Sequence, residues 1–259
     1  KVLRERLQEQ GMLRLLEEIE LPLCAVLADM EYTGVKVDAD SLRKYGEMLS
    51  AGIATTEQQI YGYAGEKFNI NSTKALGALL FDKLGLPPVK KTKTGYSTDI
   101  EVLEKLRGSH PIIADIIDYR TLTKLRSTYV DGLLKVIAPD GRIHTNFMMT
   151  VTATGRLSST EPNLQNIPVR QELGHELRKM FIAGEGKLLV DADYSQIELR
   201  VLAHVSGDRS MQRAFKDGED IHCSTASQVL GIPPEQVTPR QRASAKAVNF
   251  GIVYGISDF

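Results

Sequence analysis

Apolar and polar positions change period several times along this chain, and each change marks an element. Through residues 2–30 and 39–63 the apolar positions recur at helical spacing, with a turn and a short extended stretch at 33–38 between them. A third helix is predicted over 71–84, stopped by Gly85 and the Pro87-Pro88 pair. Thr98 and Glu101 read as a capping box, and Pro111 opens a long helix running to residue 136. The Asp140-Gly141 turn leads into residues 142–152, whose β-branched and aromatic content predicts a strand. The apolar run 188–190 has a period of two, which places Leu189, Asp191 and Asp193 on one strand face. After Ser195 helical spacing returns in Ile197, Val201 and Val205, with Leu202 beside them, so residues 193–198 form a strand-to-helix junction. A carboxylate there can hold a hard cation together with carbonyl and phosphate oxygens, or simply cap the helix that follows.

The last helix has the clearest start. Thr238 can cap it, Pro239 suits its first position, and Gln241 stands three residues after the cap. Along it Arg242, Lys246, Phe250 and Tyr254 recur every fourth residue. A step of four drifts only about 40°, so the four side chains form a stripe roughly 18 Å long. Two cations followed by two aromatics suit a ligand with an anionic end near the helix start and a flat end beyond it, which is the shape of a nucleoside triphosphate. Core aromatics and a solvated basic face give the same spacing, and spacing alone leaves both readings open. Gly251 and Gly255 in this stretch each cost about 1 kcal/mol against Ala inside a helix, which close approach of another group would explain.

Composition sets outer limits. At 259 residues, 42% hydrophobic and 25% charged, the chain can bury a sizeable core in more than one lobe. A formal net charge of −1 excludes a globally basic nucleic-acid binder, so affinity for a polyanion must come from local patches. Residues 87–128 are net basic and include Lys90, Lys91 and Lys93, although a solvated lysine loop has the same composition. Cys24 and Cys223 lack metal-ligand or redox spacing, and two isolated thiols fit a reducing cytoplasmic setting. With no signal peptide and no apolar run near about eighteen residues, neither secretion nor a membrane partner is expected.

The segments gain meaning together. DADYSQIELR (191–200) followed by RASAKAVNFGIVYG (242–255) closely resembles motifs A and B of the family-A DNA polymerases, and TATGRLSSTEPNLQNIPVR (152–170) resembles a third block of that family. Order and approximate spacing match, and weaker likeness extends through MEYTGVKVD (30–38) and KTGYSTDIEVLEKL (93–106). The resemblance implies an α+β right-hand architecture with a helical thumb, an antiparallel-sheet palm and helical fingers, incomplete in this chain. Residues 1–38 would form the palm base with its leading helix, 39–138 the thumb, 139–207 the palm with motif A, and 208–259 part of the fingers with motif B. It also implies template-directed transfer of dNMP from dNTP to a primer 3′-hydroxyl, with two Mg2+ ions as cofactors and primer-template DNA and dNTP as partners.

By resemblance, Asp193 and the Tyr194 carbonyl hold metal, Arg242 and Lys246 grip the triphosphate, and Lys246 supplies a proton to the leaving group. His222 contacts the phosphates; Gln196, Phe250 and Tyr254 line the nucleotide site. Glu198 fills the space beside the sugar 2′ position, which selects deoxyribonucleotides. Arg156, Gln165 and Asn166 touch the primer-template near the growing end, from the minor groove, where geometry is legible and base identity is degenerate.

Two departures stand out. Asp191 is an acid where the family usually carries a small or apolar residue. The family's second catalytic aspartate, in a Val-His-Asp-Glu hairpin after motif B, has no counterpart, since no His-Asp pair occurs in the sequence. The chain is therefore expected to be the N-terminal part of a polymerase domain, inactive alone and dependent on the remaining C-terminal part. Two other classes stay open: a catalytically inactive nucleic-acid-binding fragment, and a single-subunit RNA polymerase, against which Glu198 argues.

Overall fold

The computed structural model describes residues 2–92, 95–168 and 172–255, without the Thr92 side chain. Lys93 and Arg170, noted in the sequence, lie outside the described residues, as does Asp258. The chain divides into two compact units, Lys1–Leu189 and Val190–Phe259.

The first unit is mostly helical. The continuous helix expected over 2–30 is broken into α1 (Val2–Glu9), the single turn α2 (Leu13–Leu15), a π-helical turn at Leu16–Glu20 and α3 (Leu21–Thr33). The break falls at Gly11, whose φ of 68° lets its N–H reach the Gln8 carbonyl while the Met12 N–H reaches that of Leu7. That pair of bonds is a helix stop that helical periodicity does not register. After Gly34, β1 (Val35–Lys36) begins, and α4 (Ala39–Ala64) follows with Asp38 accepting the Ser41 N–H at 2.9 Å.

Beyond α4 come α5 (Thr73–Gly77), a π turn Ala78–Lys83, and the ribbon of β2 (Lys91–Thr92) with β3 (Gly95–Tyr96). α6 (Ile100–Leu106) is capped by Asp99, not Thr98. Thr98 is buried and instead gives its carbonyl and hydroxyl to Arg120, so a tertiary partner displaces the predicted cap by one residue. α7 (Pro111–Lys124) continues through a π turn at Leu125–Val130 into α8 (Asp131–Val136), as the sequence led one to expect. α4 and α7 pack around Ile60, Leu76, Leu80, Leu103, Ile112 and Ile116, while the other end of α4 joins a second core with Leu42, Leu49, Val130 and Ile143.

The strand expected over 142–152 is two shorter ones. β4 (Arg142–Ile143) pairs antiparallel with β1, and β5 (Asn146–Met148) pairs antiparallel with β6 (Ser158–Thr160). Between them Thr145 turns inward, its hydroxyl 2.7 Å from that of Ser159 and 2.8 Å from the Pro162 carbonyl, and this buried polar contact divides the ladder. α9 (Glu172–Arg178) then closes the unit against α4, where the Tyr45 hydroxyl donates to the Leu173 carbonyl at 2.7 Å. The strand predicted at 188–193 does not form. Leu188 and Val190 are 89% and 88% exposed, and an extended segment with no neighbour to complete its hydrogen bonds gains nothing from β geometry. The described residues thus contain three two-stranded antiparallel ladders and no larger sheet.

Among its described residues the second unit has four α-helices, α10 (Ile197–Ser206), α11 (Arg209–Lys216), α12 (Ile221–Leu230) and α13 (Pro239–Val253), with a 3-10 turn at Pro234–Gln236 before the last. Aspartates cap the middle two, Asp208 through the Met211 N–H and Asp220 through those of His222 and Cys223. Thr238 and Gln241 make the predicted capping box of α13. α10 buries Leu199 and Ala203, whereas the stripe of Ile197, Val201, Leu202 and Val205 lies on its exposed side. Gly255 follows the end of α13 at a φ of 76°, so the helix-interior cost assigned to it does not apply; Gly251 is interior and buried.

Candidate functional site

In the first unit, the loop after β5 returns through β6 and the turn Leu164–Asn166. Buried Ser159 organises it: its hydroxyl donates to the Pro162 carbonyl and accepts the Leu164 N–H. Gln165 is tied to the same loop, its Nε2 donating to the Leu157 carbonyl at 3.1 Å and its Oε1 accepting the Ser159 N–H at 3.3 Å. Asn166 is held through its backbone, whose carbonyl accepts the Tyr129 hydroxyl at 2.5 Å, leaving its side chain exposed. Gln165 and Asn166 line a cleft of about 990 Å³, together with Arg107, Arg120 and Lys124 and, balancing them, Glu104, Asp118 and Glu172. Arg156 is exposed at the tip of the loop, and its carbonyl accepts the Thr152 hydroxyl. The three residues expected to contact nucleic acid therefore belong to one braced loop.

The second unit holds the rest. Asp191, Asp193 and Tyr194 are exposed in the segment leading to α10. Gln196 enters the helix in the left-handed region at φ 52°, and its buried Oε1 has no hydrogen-bond partner among the described residues. An unpaired buried acceptor costs about 1–3 kcal/mol, which a donor on a ligand would recover. Glu198, in the first turn of α10, accepts the Tyr254 hydroxyl at 3.1 Å.

On α13 the four-residue stripe is real. Phe250 and Tyr254 stack with centroids 6.1 Å apart and planes 15° from parallel, and Lys246 Nζ lies 5.8 Å from the Phe250 centroid. Arg242 Nε donates to Asp220 Oδ2 at 2.6 Å. Burial pushes the Asp220 carboxyl up, but hydrogen bonds from Arg242 and from the Cys223 and His222 amides outweigh it and hold the group below the usual carboxylate range.

His222 is placed differently from an exposed phosphate ligand: it is 1% exposed, with its ring 5.7 Å from that of Phe250. A directed chain fixes its proton. The Thr225 hydroxyl donates to the Ile221 carbonyl, so it accepts from Asn249 Nδ2, whose other N–H points at His222 Nδ1 at 3.1 Å. Nδ1 is then an acceptor and the ring neutral, in keeping with burial, aided by Arg242 and Lys246, lowering its pKa against the opposing pull of Asp220. Asp220 and Asn249 are the functional neighbours that sequence reasoning missed. Asp220 was legible as a helix cap, but nothing local points to a partner 22 residues on.

Among the described residues no group of three or more His, Cys, Asp or Glu side chains is assembled for a metal ion. The Asp193 carboxylate and Tyr194 carbonyl offer oxygen donors only, which fits a hard divalent cation whose shell a substrate completes. Among the described residues no helix is long and apolar enough to cross a membrane.

Comparison with known proteins gives concordant matches. The family model described as DNA polymerase family A matches residues 39–259. DNA polymerase I of Bacillus subtilis (strain 168) is 54% identical over 257 residues, covering 98% of this chain and 29% of that protein. DNA polymerase I of Caldicellulosiruptor bescii is 56% identical over 246 residues, covering 95% of this chain and 29% of that protein. A solved structure of the POL domain of Pol1 from M. smegmatis in complex with DNA primer-template and dNTP aligns with a TM-score of 0.90 at 44% identity, covering 98% of this chain and 45% of that one. The chain thus spans about three-tenths of the length of the curated relatives it matches.

Proposed function

The chain belongs to DNA polymerase family A, and from that premise we propose that it contributes the nucleotide-selecting and part of the metal-binding machinery of a template-directed DNA polymerase. In this reading residues 1–38 are the palm base, 39–138 the thumb, 139–207 the palm and 208–259 part of the fingers. The observation that carries it is the α13 stripe, with Lys246 over Phe250 and Phe250 stacked on Tyr254 behind an arginine near the helix start.

Arg242 and Lys246 bind the triphosphate of an incoming dNTP, and Lys246 delivers a proton to the departing pyrophosphate oxygen. Phe250 and Tyr254 support the sugar and base, and Gln196 offers its unpartnered oxygen to a substrate donor. Glu198, steadied by Tyr254, occupies the space that a 2′-hydroxyl would need. Neutral His222, buried behind Phe250, supports that ring and becomes a phosphate donor through Nε2 only if the site opens. Asp193 and the Tyr194 carbonyl would hold magnesium, and a bound pair of such ions would supply activation of the primer 3′-hydroxyl and stabilisation of charge on the leaving group. Arg156, Gln165 and Asn166 register the primer-template from their braced loop.

The second metal-binding aspartate has no candidate here, so the remaining C-terminal part of the polymerase domain is a required partner. The test is primer extension with Mg2+ and dNTPs, by the 259-residue chain alone and after addition of that part. We expect no extension alone and extension by the complemented enzyme. Robust extension by the purified chain alone would refute the assignment, and primer-template binding without extension in either case would leave a non-catalytic nucleic-acid binder.

A further inference from the structure

Asp220 meets two elements at once. Its Oδ1 accepts the His222 and Cys223 N–H groups at 3.0 and 3.2 Å, and its Oδ2 accepts Arg242 Nε at 2.6 Å. The first turn of α12 thereby sets the plane of the carboxylate, and the carboxylate orients the guanidinium. Arg242 is engaged through Nε, and its two terminal nitrogens have no partner among the described residues. Those two nitrogens form a fork that matches a pair of phosphate oxygens, and a guanidinium already oriented loses less freedom when it binds them. A carboxylate facing a triphosphate would ordinarily repel it, but here its charge is answered by the arginine it holds.

We propose that Asp220 is a positioning residue for nucleotide binding: it aims the Arg242 guanidinium from α12 so that the terminal nitrogens meet the triphosphate. The inference rests on the reading of Arg242 as a phosphate ligand. Its effect belongs to substrate affinity, since Asp220 touches no reacting atom.

The experiment is single-turnover incorporation by the complemented enzyme over a range of dNTP concentrations, for wild type, Asp220→Asn, Arg242→Ala and the double variant. Asp220→Asn keeps an oxygen to cap α12 but turns an N–H toward Arg242 Nε. We expect its apparent dNTP Kd to rise about threefold to tenfold, the range for one half-exposed charge-assisted bond. The maximal rate, primer-template affinity and Tm should stay near wild type, and the double variant should be no worse than Arg242→Ala, because the two residues act as one unit. Asp220→Ser, which caps without reaching Arg242, should match Asp220→Asn. An unchanged or tighter dNTP Kd in Asp220→Asn, beside a weakened Arg242→Ala, would overturn the positioning role and leave the phosphate reading intact. An unchanged dNTP Kd in Arg242→Ala would overturn the phosphate reading, and this inference with it.

Discussion

The Tyr254 hydroxyl donates to Glu198 Oε1 at 3.1 Å, joining the residue that closes α13 to the first turn of α10. The bond holds the carboxylate beside a ring that is itself stacked on Phe250. If Glu198 fills the 2′ space, its discrimination depends on being held there. Glu198→Ala should raise the ribo-to-deoxynucleotide incorporation ratio strongly, and Tyr254→Phe should raise it less. Equal ratios in wild type and Glu198→Ala, measured by competing the two nucleotides, would remove Glu198 as the gate.

Asp193 and Asp191 both lie exposed before α10, and only Asp193 is assigned to metal. In the complemented enzyme Asp193→Asn should nearly abolish incorporation while leaving primer-template binding largely intact. Asp191→Asn should cost much less. Comparable losses from both would mean that the metal assignment is wrong or shared between them.

Lys246 and Phe250 are neighbours on one stripe, and the proposed function gives them separate tasks. Lys246→Ala should slow the chemical step more than it weakens dNTP binding, because charge grows on the leaving pyrophosphate in the transition state. Phe250→Tyr adds a hydroxyl near the sugar, and by family resemblance this hydroxyl stands in for a missing 3′-hydroxyl. Dideoxynucleotide acceptance should therefore rise at an unchanged deoxynucleotide rate. A wild-type rate in Lys246→Ala together with unchanged preference in Phe250→Tyr would make the stripe a core face with solvated cations.

His222 is neutral, and burial lowers its pKa below that of the unfolded chain. Between the folded value and the unfolded value of about 6.5 the unfolded state binds the extra proton, so stability is lost as pH falls through that window. Protonation would also set Nδ1–H against the Asn249 amide. Tm measured from about pH 7 to pH 5 should fall, and fall less steeply in His222→Gln. The same slope in both proteins would trace the loss to other groups.

Gly174 sits where an added Cβ would lie 2.7 Å from the Pro168 carbonyl oxygen and 2.8 Å from the Pro168 Cβ. Backbone and ring cannot both retreat without moving the loop that carries Gln165 and Asn166. Gly174→Ala should lower stability by about 1–3 kcal/mol, the range for overpacking, and weaken primer-template binding. A denaturation midpoint equal to wild type would show that the loop yields freely.

The sequence determined what is decided within a few residues. Thr238, Pro239 and Gln241 specify the start of α13, and Asp38 and Gly65 bound α4, because caps and stops satisfy the nearest backbone groups. The three polymerase-like blocks, and with them the family, were likewise legible in linear order. Tertiary structure decided whatever needed a partner far along the chain. Thr98 became an anchor for Arg120 and ceded its cap to Asp99; Thr145 split a strand by turning toward Ser159. Residues 188–193 had strand periodicity but no neighbour among the described residues to complete a ladder. His222 went into the interior because Asn249 was there to satisfy it, and Asp220 found Arg242 across a 22-residue gap. Local hydrogen bonds can be read from spacing, whereas burial and long-range pairing depend on which surfaces the completed fold brings together.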